Sequence, residues 1–222
     1  VNILPAADNT YADIIVQNQP LEKPLIYFFP SQPSPRSAHE GKAPVIAIVW
    51  RSFRMEKYKV GVIGGTGMVG QRFVTLMENH PWFQLTAIAA SPRSAGKTYE
   101  EAVAHRWAMK TSIPQQAKSM VVLDAQADVD KIAGMVDFVF CAVDMKKEEI
   151  RALEERYAKA ECPVVSNNSA HRWTDDVPMV VPEMNPEHLE VIPAQRARLG
   201  TKRGFIAVKS NCSIQSYAPA LH

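Results

Sequence analysis

Cys212 is the residue of this 222-residue chain whose surroundings best suit covalent chemistry. It follows the polar pair Ser210 and Asn211, and residues 213–217 after it can begin a helix. A thiolate at the first turn of a helix is stabilised by the helix dipole, and the thiolate is the nucleophilic form of cysteine. Asn211 can donate a hydrogen bond to an oxyanion that forms beside the sulfur. The alternative is an unreactive thiol, because the spacing alone fits both readings.

A glycine cluster offers a second kind of chemistry, the binding of phosphate groups. Five of the ten glycines lie in residues 61–70, between a predicted strand at 58–63 and a predicted helix at 68–78. Glycine there permits a tight turn, close approach of a pyrophosphate to backbone amides, and tight packing of helix on strand. The free N–H groups of the helix start would then bind the anion. We predict a dinucleotide site, with a ligand-free turn as the alternative, formed by Gly64, Thr66, Gly67, Met68, Val69 and Gly70.

The segment after the next predicted strand, 83–90, indicates which dinucleotide is bound. Folds that prefer NAD place an acidic residue there to bind the ribose 2′-hydroxyl. Residues 89–97 contain no acid, but they contain hydroxyls and cations that could hold a 2′-phosphate. We therefore predict NADP as the cofactor. The residues concerned are Ser91, Arg93, Ser94 and Lys97, and the alternative is an ordinary basic surface loop.

A second polar cluster occupies residues 165–172, directly after a predicted strand at 163–166. Asn167, Ser169 and Arg172 have the side chains that bind a phosphate or carboxylate. His171 could act as a base, although a loop histidine beside Arg172 is more often structural. Because doubly wound folds bind ligands at the carboxyl ends of their strands, this cluster and the glycine turn are expected at one edge of a sheet.

The elements that must position these residues alternate between strand and helix from residue 57 onward. This order predicts an α/β fold, a Rossmann-type doubly wound parallel sheet built from right-handed βαβ units. Two amphipathic helices are predicted, with Val69, Phe73, Leu76 and Met77 inward in the first and Ile150, Leu153 and Tyr157 inward in the second. Further strands are predicted at 121–123, 136–143 and 204–209, and the second helix at 146–160. Cys141 and Cys162 lie in or beside apolar strands and are predicted to be structural.

Five segments in order make the sequence from Met55 to His222 resemble aspartate-semialdehyde dehydrogenase, especially its archaeal and fungal-type branch. The resemblance implies NADP-dependent reductive dephosphorylation of L-aspartyl 4-phosphate to aspartate 4-semialdehyde, on the route to lysine, threonine and methionine. It implies that Cys212 is the nucleophile and that Asn211 holds the oxyanion. It also implies that Arg172, with Asn167 nearby, binds the departing phosphate. The segments are residues 64–70, 90–97, 165–172, 177–185 and 210–213.

The resemblance also sets expectations about domains and assembly. Members of this family continue past the cysteine into a second domain, which supplies a general-base histidine and a dimer or tetramer interface. None of the six histidines here matches that base, so we expect little turnover from this chain alone. The expected organisation is an extension at 1–54, an NADP-binding domain at 55–210, and the start of a catalytic domain at 211–222 with its remainder absent.

Composition excludes several other classes of protein. Apolar residues make up 46% and charged residues 22%, and the net charge is +2, which argues against disordered chains and strongly basic nucleic-acid binders. No apolar run approaches the ~20 residues of a membrane helix, and three cysteines suit neither a disulfide scaffold nor a zinc site. We therefore expect a cytoplasmic enzyme with a small-molecule substrate, no metal, and neither nucleic acid nor membrane as a partner.

Two alternative functions remain open at this stage. The first is a related reductase of acyl phosphates or acyl thioesters, such as N-acetyl-γ-glutamyl-phosphate reductase or malonyl-CoA reductase. The second is a non-catalytic NADP-binding module in which Cys212 is inert. The proline-rich residues 1–54 add short apolar runs at 13–16, 26–29 and 45–50, each of which is a strand or nothing, and could also form an arm on a partner subunit.

Overall fold

The computed structural model describes residues 56–221. The chain separates into two units, Val1–Glu56 and Lys57–His222, and the description that follows concerns the second. The three apolar runs of the N-terminal segment, its proline stretch at 30–35, and His222 lie outside the described residues.

The described residues alternate between strand and helix from the start. The strands are β1 (Tyr58–Ile63), β2 (Phe83–Ala90), β3 (Leu123–Asp124), β4 (Phe138–Cys141), β5 (Val164–Ser166), β6 (Met179–Val180) and β7 (Ile206–Lys209). The helices are α1 (Met68–Leu76), α2 (Tyr99–Val103), α3 (Gln115–Lys118), α4 (Val129–Met135), α5 (Lys147–Lys159), α6 (Ile192–Leu199) and α7 (Cys212–Leu221), with a 3₁₀ helix at Pro186–Val191 before α6.

The seven strands form one parallel sheet in the order β3-β2-β1-β4-β5-β7-β6. This confirms the predicted Rossmann-type fold. The order reverses between β1 and β4, which is the point at which doubly wound sheets open a crevice for a ligand. All four residues of β4 are buried, as expected for a strand covered on both faces.

The predicted inward face of α1 was correct in part: Phe73 stacks on Phe140 of β4, with ring centroids 4.7 Å apart, and Met77 is buried just after the helix, but Val69 is not buried. The helix ends at Leu76, not at residue 78, and Val69 is 43% exposed. Its buried residues are Gly70, Gln71 and Val74. The cause is the close approach of Gly70 to the turn before the helix, which rotates the Gly70 side of α1 toward the sheet. Apolar spacing alone does not detect this constraint, since glycine carries no side chain to count.

The prediction for α5 was correct in its inward face, where Ile150, Leu153 and Tyr157 are all buried. β1 and β2 have the predicted bounds, whereas the ends of the other predicted strands differ from prediction by one or two residues, because pairing frays where the strands diverge. For example, Val121 forms only an isolated bridge with Thr98, and β3 begins at Leu123. The sequence analysis missed β6, α2, α3, α4, α6 and the 3₁₀ helix.

Candidate active site

The loops that follow β1, β4, β5 and β7 lie side by side at the carboxyl edge of the sheet. A Cβ built at Gly64, after β1, would lie 2.4 Å from the carbonyl oxygen of Ala142, after β4. The N–H of Asn167, after β5, donates to the carbonyl of Cys141 at 2.8 Å. Arg172 then reaches the end of β7. Three of the predicted site segments, the glycine turn, residues 165–172 and residues 210–212, therefore belong to one row of loops.

Two glycines of the turn are required by the fold itself. Gly64 has φ +84°, a left-handed conformation that other residues adopt at a cost. A Cβ at Gly70 would lie 2.1 Å from the carbonyl oxygen of Gly64, which is a backbone clash. The carbonyl of Ala89, in β2, accepts the N–H groups of both Gly64 and Gly65, at 2.8 and 3.1 Å, and so fixes the turn against the neighbouring strand.

Gly67 has a different explanation. A Cβ there would meet only the carbonyl oxygen of Gly64, at 3.5 Å, which is ordinary contact. Its φ of −78° is open to any residue. Packing within the chain therefore does not require glycine at this position. Close approach of a ligand to the backbone does, so the turn fits the pyrophosphate cradle that the spacing predicts.

The start of α1 supplies donors for such a ligand. The first helical hydrogen bond runs from the N–H of Gln71 to the carbonyl of Gly67 at 2.8 Å. The N–H groups of Met68, Val69 and Gly70 precede it, so helix geometry leaves them without an acceptor in the helix. Met68 and Val69 are exposed. These donors, together with the positive end of the helix dipole, can hold an anion over Gly67.

Two residues that the sequence analysis missed hold the glycine turn in place. The side chain of buried Gln71 donates to the carbonyls of Thr66 and Arg106, and accepts the N–H of Ala108 at 2.8 Å. The hydroxyl of fully buried Tyr99 donates to the carbonyl of Gly65 at 2.8 Å. Neither position carried a sequence signal, since a glutamine in a helix and an aromatic residue after a loop are both ordinary.

The residues predicted to hold a 2′-phosphate lie in the loop after β2 and differ in their exposure to solvent. Ser91 and Arg93 are exposed, and Lys97 is exposed as well. Ser94 is buried, and its hydroxyl accepts a hydrogen bond from the guanidinium of Arg106 at 3.2 Å. Arg106, which the sequence analysis did not single out, therefore adds a cation beside this loop.

A carboxylate lies opposite the end of β2, on the neighbouring strand β3. Asp124 pairs with Ala90 across the sheet. Its Oδ1 accepts the N–H groups of Gln126 and Ala127, both at 2.8 Å, so it caps the following turn. The loop at 91–97 itself holds no acid. This charge pattern fits a phosphate on the ribose better than a free 2′-hydroxyl.

Cys212 is exposed and is the first residue of α7. Asn211 caps this helix: its carbonyl accepts the N–H of Gln215 at 3.0 Å, and its Oδ1 accepts the N–H of Ser213 at 2.9 Å. Because Oδ1 points at the helix, the Nδ2 donor of Asn211 lies on the other side of the amide. The N–H of Cys212 belongs to the free first turn. Asn211 and Cys212 therefore each keep one donor that the helix itself does not use.

The other two thiols are buried. Burial, with the Glu154 carboxyl second, raises the pKa of Cys141 well above its usual value. Burial raises the pKa of Cys162 to about 12. Both therefore stay protonated at neutral pH, as expected for structural cysteines.

Arg172 ties the loop after β5 to the cysteine segment. Its Nε donates to the carbonyl of Lys209, and its Nη2 donates to the carbonyl of Ser210, both at 3.2 Å. These carbonyls lie within three residues of Cys212. Asn167, predicted to assist Arg172, is half-buried and bonds through its backbone to Cys141. The predicted phosphate-binding arginine and the predicted nucleophile therefore share one corner of the site.

A buried polar cluster lies between α5 and the loop after β5. The sequence analysis did not predict it. Glu154, fully buried in α5, accepts the hydroxyl of Ser166 at 2.5 Å and the Nδ2 of Asn168 at 3.1 Å. Asn168 also contacts the sulfur of Cys141 at 3.5 Å. Burial raises the pKa of Glu154, although these hydrogen bonds oppose it. Helical spacing held the signal, because Glu154 is four residues after inward-facing Ile150.

His171 belongs to this cluster and not to the solvent-facing site. It is 1% exposed, and its Nδ1 lies 3.1 Å from the hydroxyl of Thr174. Its Nε2 lies 4.0 Å from the Oε2 of Glu154, too far for a hydrogen bond. Burial lowers the pKa of His171, so the ring is favoured in its neutral form. The structural reading of this histidine fits better than a role as a base.

Comparison with known proteins agrees with this geometry. The family model "Semialdehyde dehydrogenase, NAD binding domain" matches residues 59–192. The chain belongs to the semialdehyde dehydrogenase family. The match spans the glycine turn, the loop after β2 and the loop that carries Asn167 and Arg172, but it ends before Cys212.

Curated relatives of the semialdehyde dehydrogenase family carry a more specific name. The aspartate-semialdehyde dehydrogenases of Aspergillus fumigatus and Archaeoglobus fulgidus are 42% and 43% identical to this chain, each over 71% of it. The chain spans 42% and 43% of the length of those two proteins.

Solved structures give the same result. The aspartate-semialdehyde dehydrogenase of Candida albicans, crystallised with NADP, superimposes with a TM-score of 0.64 at 36% identity, over 75% of this chain and 46% of that one. An enzyme of the same name from Vibrio cholerae, complexed with ASA, gives a TM-score of 0.53 at 26% identity, with 75% and 46% covered.

Two further observations concern residues 56–221 only. They contain no group of three histidine, cysteine or acidic residues that could hold a metal ion. None of the helices in this part of the chain is long and apolar enough to cross a membrane.

Proposed function

We propose that this chain carries the cofactor site and the nucleophile of an NADP-dependent aspartate-semialdehyde dehydrogenase. The reaction is the reductive dephosphorylation of L-aspartyl 4-phosphate to L-aspartate 4-semialdehyde, a step toward lysine, threonine and methionine. The observation that supports the proposal is the pair of bonds from Arg172 to the carbonyls of Lys209 and Ser210, which hold the guanidinium against the backbone two and three residues before Cys212. The names of the curated relatives support the choice of substrate.

The cofactor would lie along the carboxyl edge, with its pyrophosphate over Gly67 and the N–H groups of the first turn of α1. Ser91, Arg93 and Arg106 would surround the 2′-phosphate, and the Candida albicans structure with NADP supports this choice of dinucleotide. When bound, the reduced cofactor supplies a hydride. The chain's part is to hold the nucleotide at the crevice between β1 and β4.

Cys212 would attack the acyl phosphate of the substrate as a thiolate. A bond forms between its sulfur and the carbonyl carbon, and the carbon–oxygen bond to phosphate breaks, which gives a thioester and free phosphate. The N–H of Cys212 and the Nδ2 of Asn211 would hold the oxyanion that forms in this step. Arg172 would bind the departing phosphate, because a guanidinium fork suits its paired oxygens, and Asn167 would lie nearby.

Selective alkylation tests the role of Cys212 directly. With iodoacetamide near neutral pH, we expect Cys212 to react at least tenfold faster than Cys141 and Cys162, read by mass spectrometry of the peptides. Exposure alone also favours Cys212, so the rate must exceed that of a cysteine placed at exposed Ser216 in a Cys212→Ser background. Equal rates at the two positions would favour a non-catalytic NADP-binding module.

Cofactor preference needs a separate measurement. We expect the chain to bind NADPH more tightly than NADH, by about tenfold or more if two cations contact the 2′-phosphate. Titration of the nucleotide's fluorescence measures both affinities. The substitution Arg93→Met should reduce this preference without affecting NADH, whereas equal affinity of the unaltered chain for both nucleotides would contradict the assignment.

A further inference from the structure

Lys209, the last residue of β7, lies beside the proposed active site and has no role in the proposed function. Its side chain is half-buried, and its Nζ donates to the carbonyl of Ser210 at 3.2 Å. Arg172 donates to the same carbonyl oxygen, also at 3.2 Å. Two cationic groups therefore converge on one backbone oxygen, two residues before Cys212.

No carboxylate in the part of the chain that the structure describes forms an ion pair with either cation, Lys209 or Arg172. Burial, followed by the charge of Arg172, lowers the pKa of the Lys209 ammonium, and the neighbouring Cys212 acts in the opposite direction. The lysine is thus close to both the guanidinium and the cysteine. A like-charge pair that is held together without an acid is stabilised when an anion binds it.

We propose that Lys209 and Arg172 together form a binding site for inorganic phosphate, or for the phosphoryl group of a substrate, beside Cys212. This inference rests on the proposed function, in which phosphate leaves at that position. It adds Lys209 as a second cation for the group that is expelled.

The donor geometry fits a tetrahedral dianion. An ammonium has three donors and a guanidinium has five, and the Ser210 and Lys209 carbonyls use only part of each set. A single cation is sufficient for a carboxylate, whereas two cations at one corner match the double charge of phosphate at neutral pH. The first turn of α7, which begins at Cys212, adds the N–H of Cys212, which helix geometry leaves without an acceptor in the helix.

The test is protection of Cys212 by phosphate. The 222-residue chain is alkylated with neutral iodoacetamide at increasing inorganic phosphate, with ionic strength held constant by potassium chloride. We expect phosphate to slow alkylation and Lys209→Met to raise the half-protecting concentration about tenfold. Lys209→Arg should keep most of the protection. Lys202→Met is the matched control, because Lys202 is exposed and precedes the opposite end of β7.

The site is supported if the half-protecting phosphate concentration rises for Lys209→Met and does not rise for the control Lys202→Met. Equal protection of Lys209→Met and the unaltered chain overturns it, and so does equal protection by acetate at the same ionic strength. If Cys212 proves unreactive, the proposed function fails, and phosphate binding is then read from the ³¹P line width of inorganic phosphate with the same variants. Broadening that persists in Lys209→Met would likewise overturn the inference.

Discussion

Replacement of Glu154 tests whether the buried polar cluster supports the loop that carries Arg172. Glu154 accepts two hydrogen bonds through Oε1, from Ser166 and Asn168, while its Oε2 has no partner among the described residues and faces His171. In Glu154→Gln, the amide oxygen can accept both bonds, and the amide NH₂ replaces Oε2. The glutamine thus keeps the bonds and removes the titrating group. Glu154→Ala removes both acceptors and leaves a cavity.

The two variants should therefore differ strongly in stability. Loss of the hydrogen bonds donated by the Ser166 hydroxyl and the Asn168 amide costs about 1–3 kcal/mol each, but the Nδ2 of Asn168 keeps its contact with the sulfur of Cys141, which limits the loss. With the cavity included, we expect Glu154→Ala to destabilise the chain by roughly 3–4 kcal/mol. We expect Glu154→Gln to lie within about 1 kcal/mol of the unaltered chain at pH 5.

The difference in stability between Glu154→Gln and the unaltered chain should depend on pH. The pKa of Glu154 is raised in the folded state from an ordinary value of 4.5, so the folded chain holds its proton where the unfolded chain has lost it. That stabilisation is complete below pH 4.5 and is lost as pH rises through the folded pKa. Between these two pKa values, the free energy of unfolding of the unaltered chain falls by up to about 1.4 kcal/mol per pH unit relative to that of the glutamine variant.

Urea unfolding followed by tryptophan fluorescence measures these differences at pH 4.5, 6 and 8. His171 is present in both chains, so its own titration largely cancels in the comparison. A stability difference between Glu154→Gln and the unaltered chain that stays constant over this range would refute the reasoning. So would an alanine variant as stable as the glutamine variant, since the two hydrogen bonds would then contribute nothing.

Three shorter predictions concern the glycine turn and the opposite end of the sheet. Gly67→Ala should leave the unfolding midpoint nearly unchanged but weaken NADPH binding at least tenfold, as its Cβ meets only ordinary contact within the chain. Gly70→Ala should lower both the unfolding midpoint and the affinity for NADPH, because its Cβ would clash with the Gly64 carbonyl. Calorimetry and nucleotide titration distinguish the two variants. Glu161 accepts the N–H groups of residues 202–204, and these bonds lower its pKa. Stability should therefore fall as pH drops below 4.5, and Glu161→Gln should flatten that decline in urea titrations at pH 3–6.

The parts of the site that could be predicted are those whose cause is local in the sequence. The turn at Gly64 and the tight packing at Gly70 arise from residues only a few positions apart, so their spacing carried the information. The helix start at Cys212 is local for the same reason. The doubly wound parallel sheet followed from the alternation of elements, because right-handed crossovers leave few other arrangements.

The parts that could not be predicted depend on residues that are distant in the sequence. Gln71 bonds to Ala108, 37 positions away, and Arg172 bonds to Ser210, 38 positions away. Neither side chain differs in type from a surface residue of a helix or loop. Glu154 is an intermediate case, because the spacing placed it on the inward face of α5 but could not say that Ser166 and Asn168 would satisfy its carboxyl.

Cys141 and Cys212 show how one residue type acquires opposite properties at the same sheet edge. Cys141 ends a strand buried on both faces and lies beside the Glu154 carboxyl, so burial and a neighbouring negative charge both oppose loss of its proton. Cys212 is exposed at a helix start, three residues after Lys209, and Arg172 bonds to the backbone just before it. The two cysteines differ in the groups that surround each strand end. A change of charge at residue 209 should therefore change the reactivity of Cys212. Lys209→Glu should accordingly slow alkylation of Cys212 more than Lys209→Met does, and equal rates for the two variants would show that the charge at this position does not act on the sulfur.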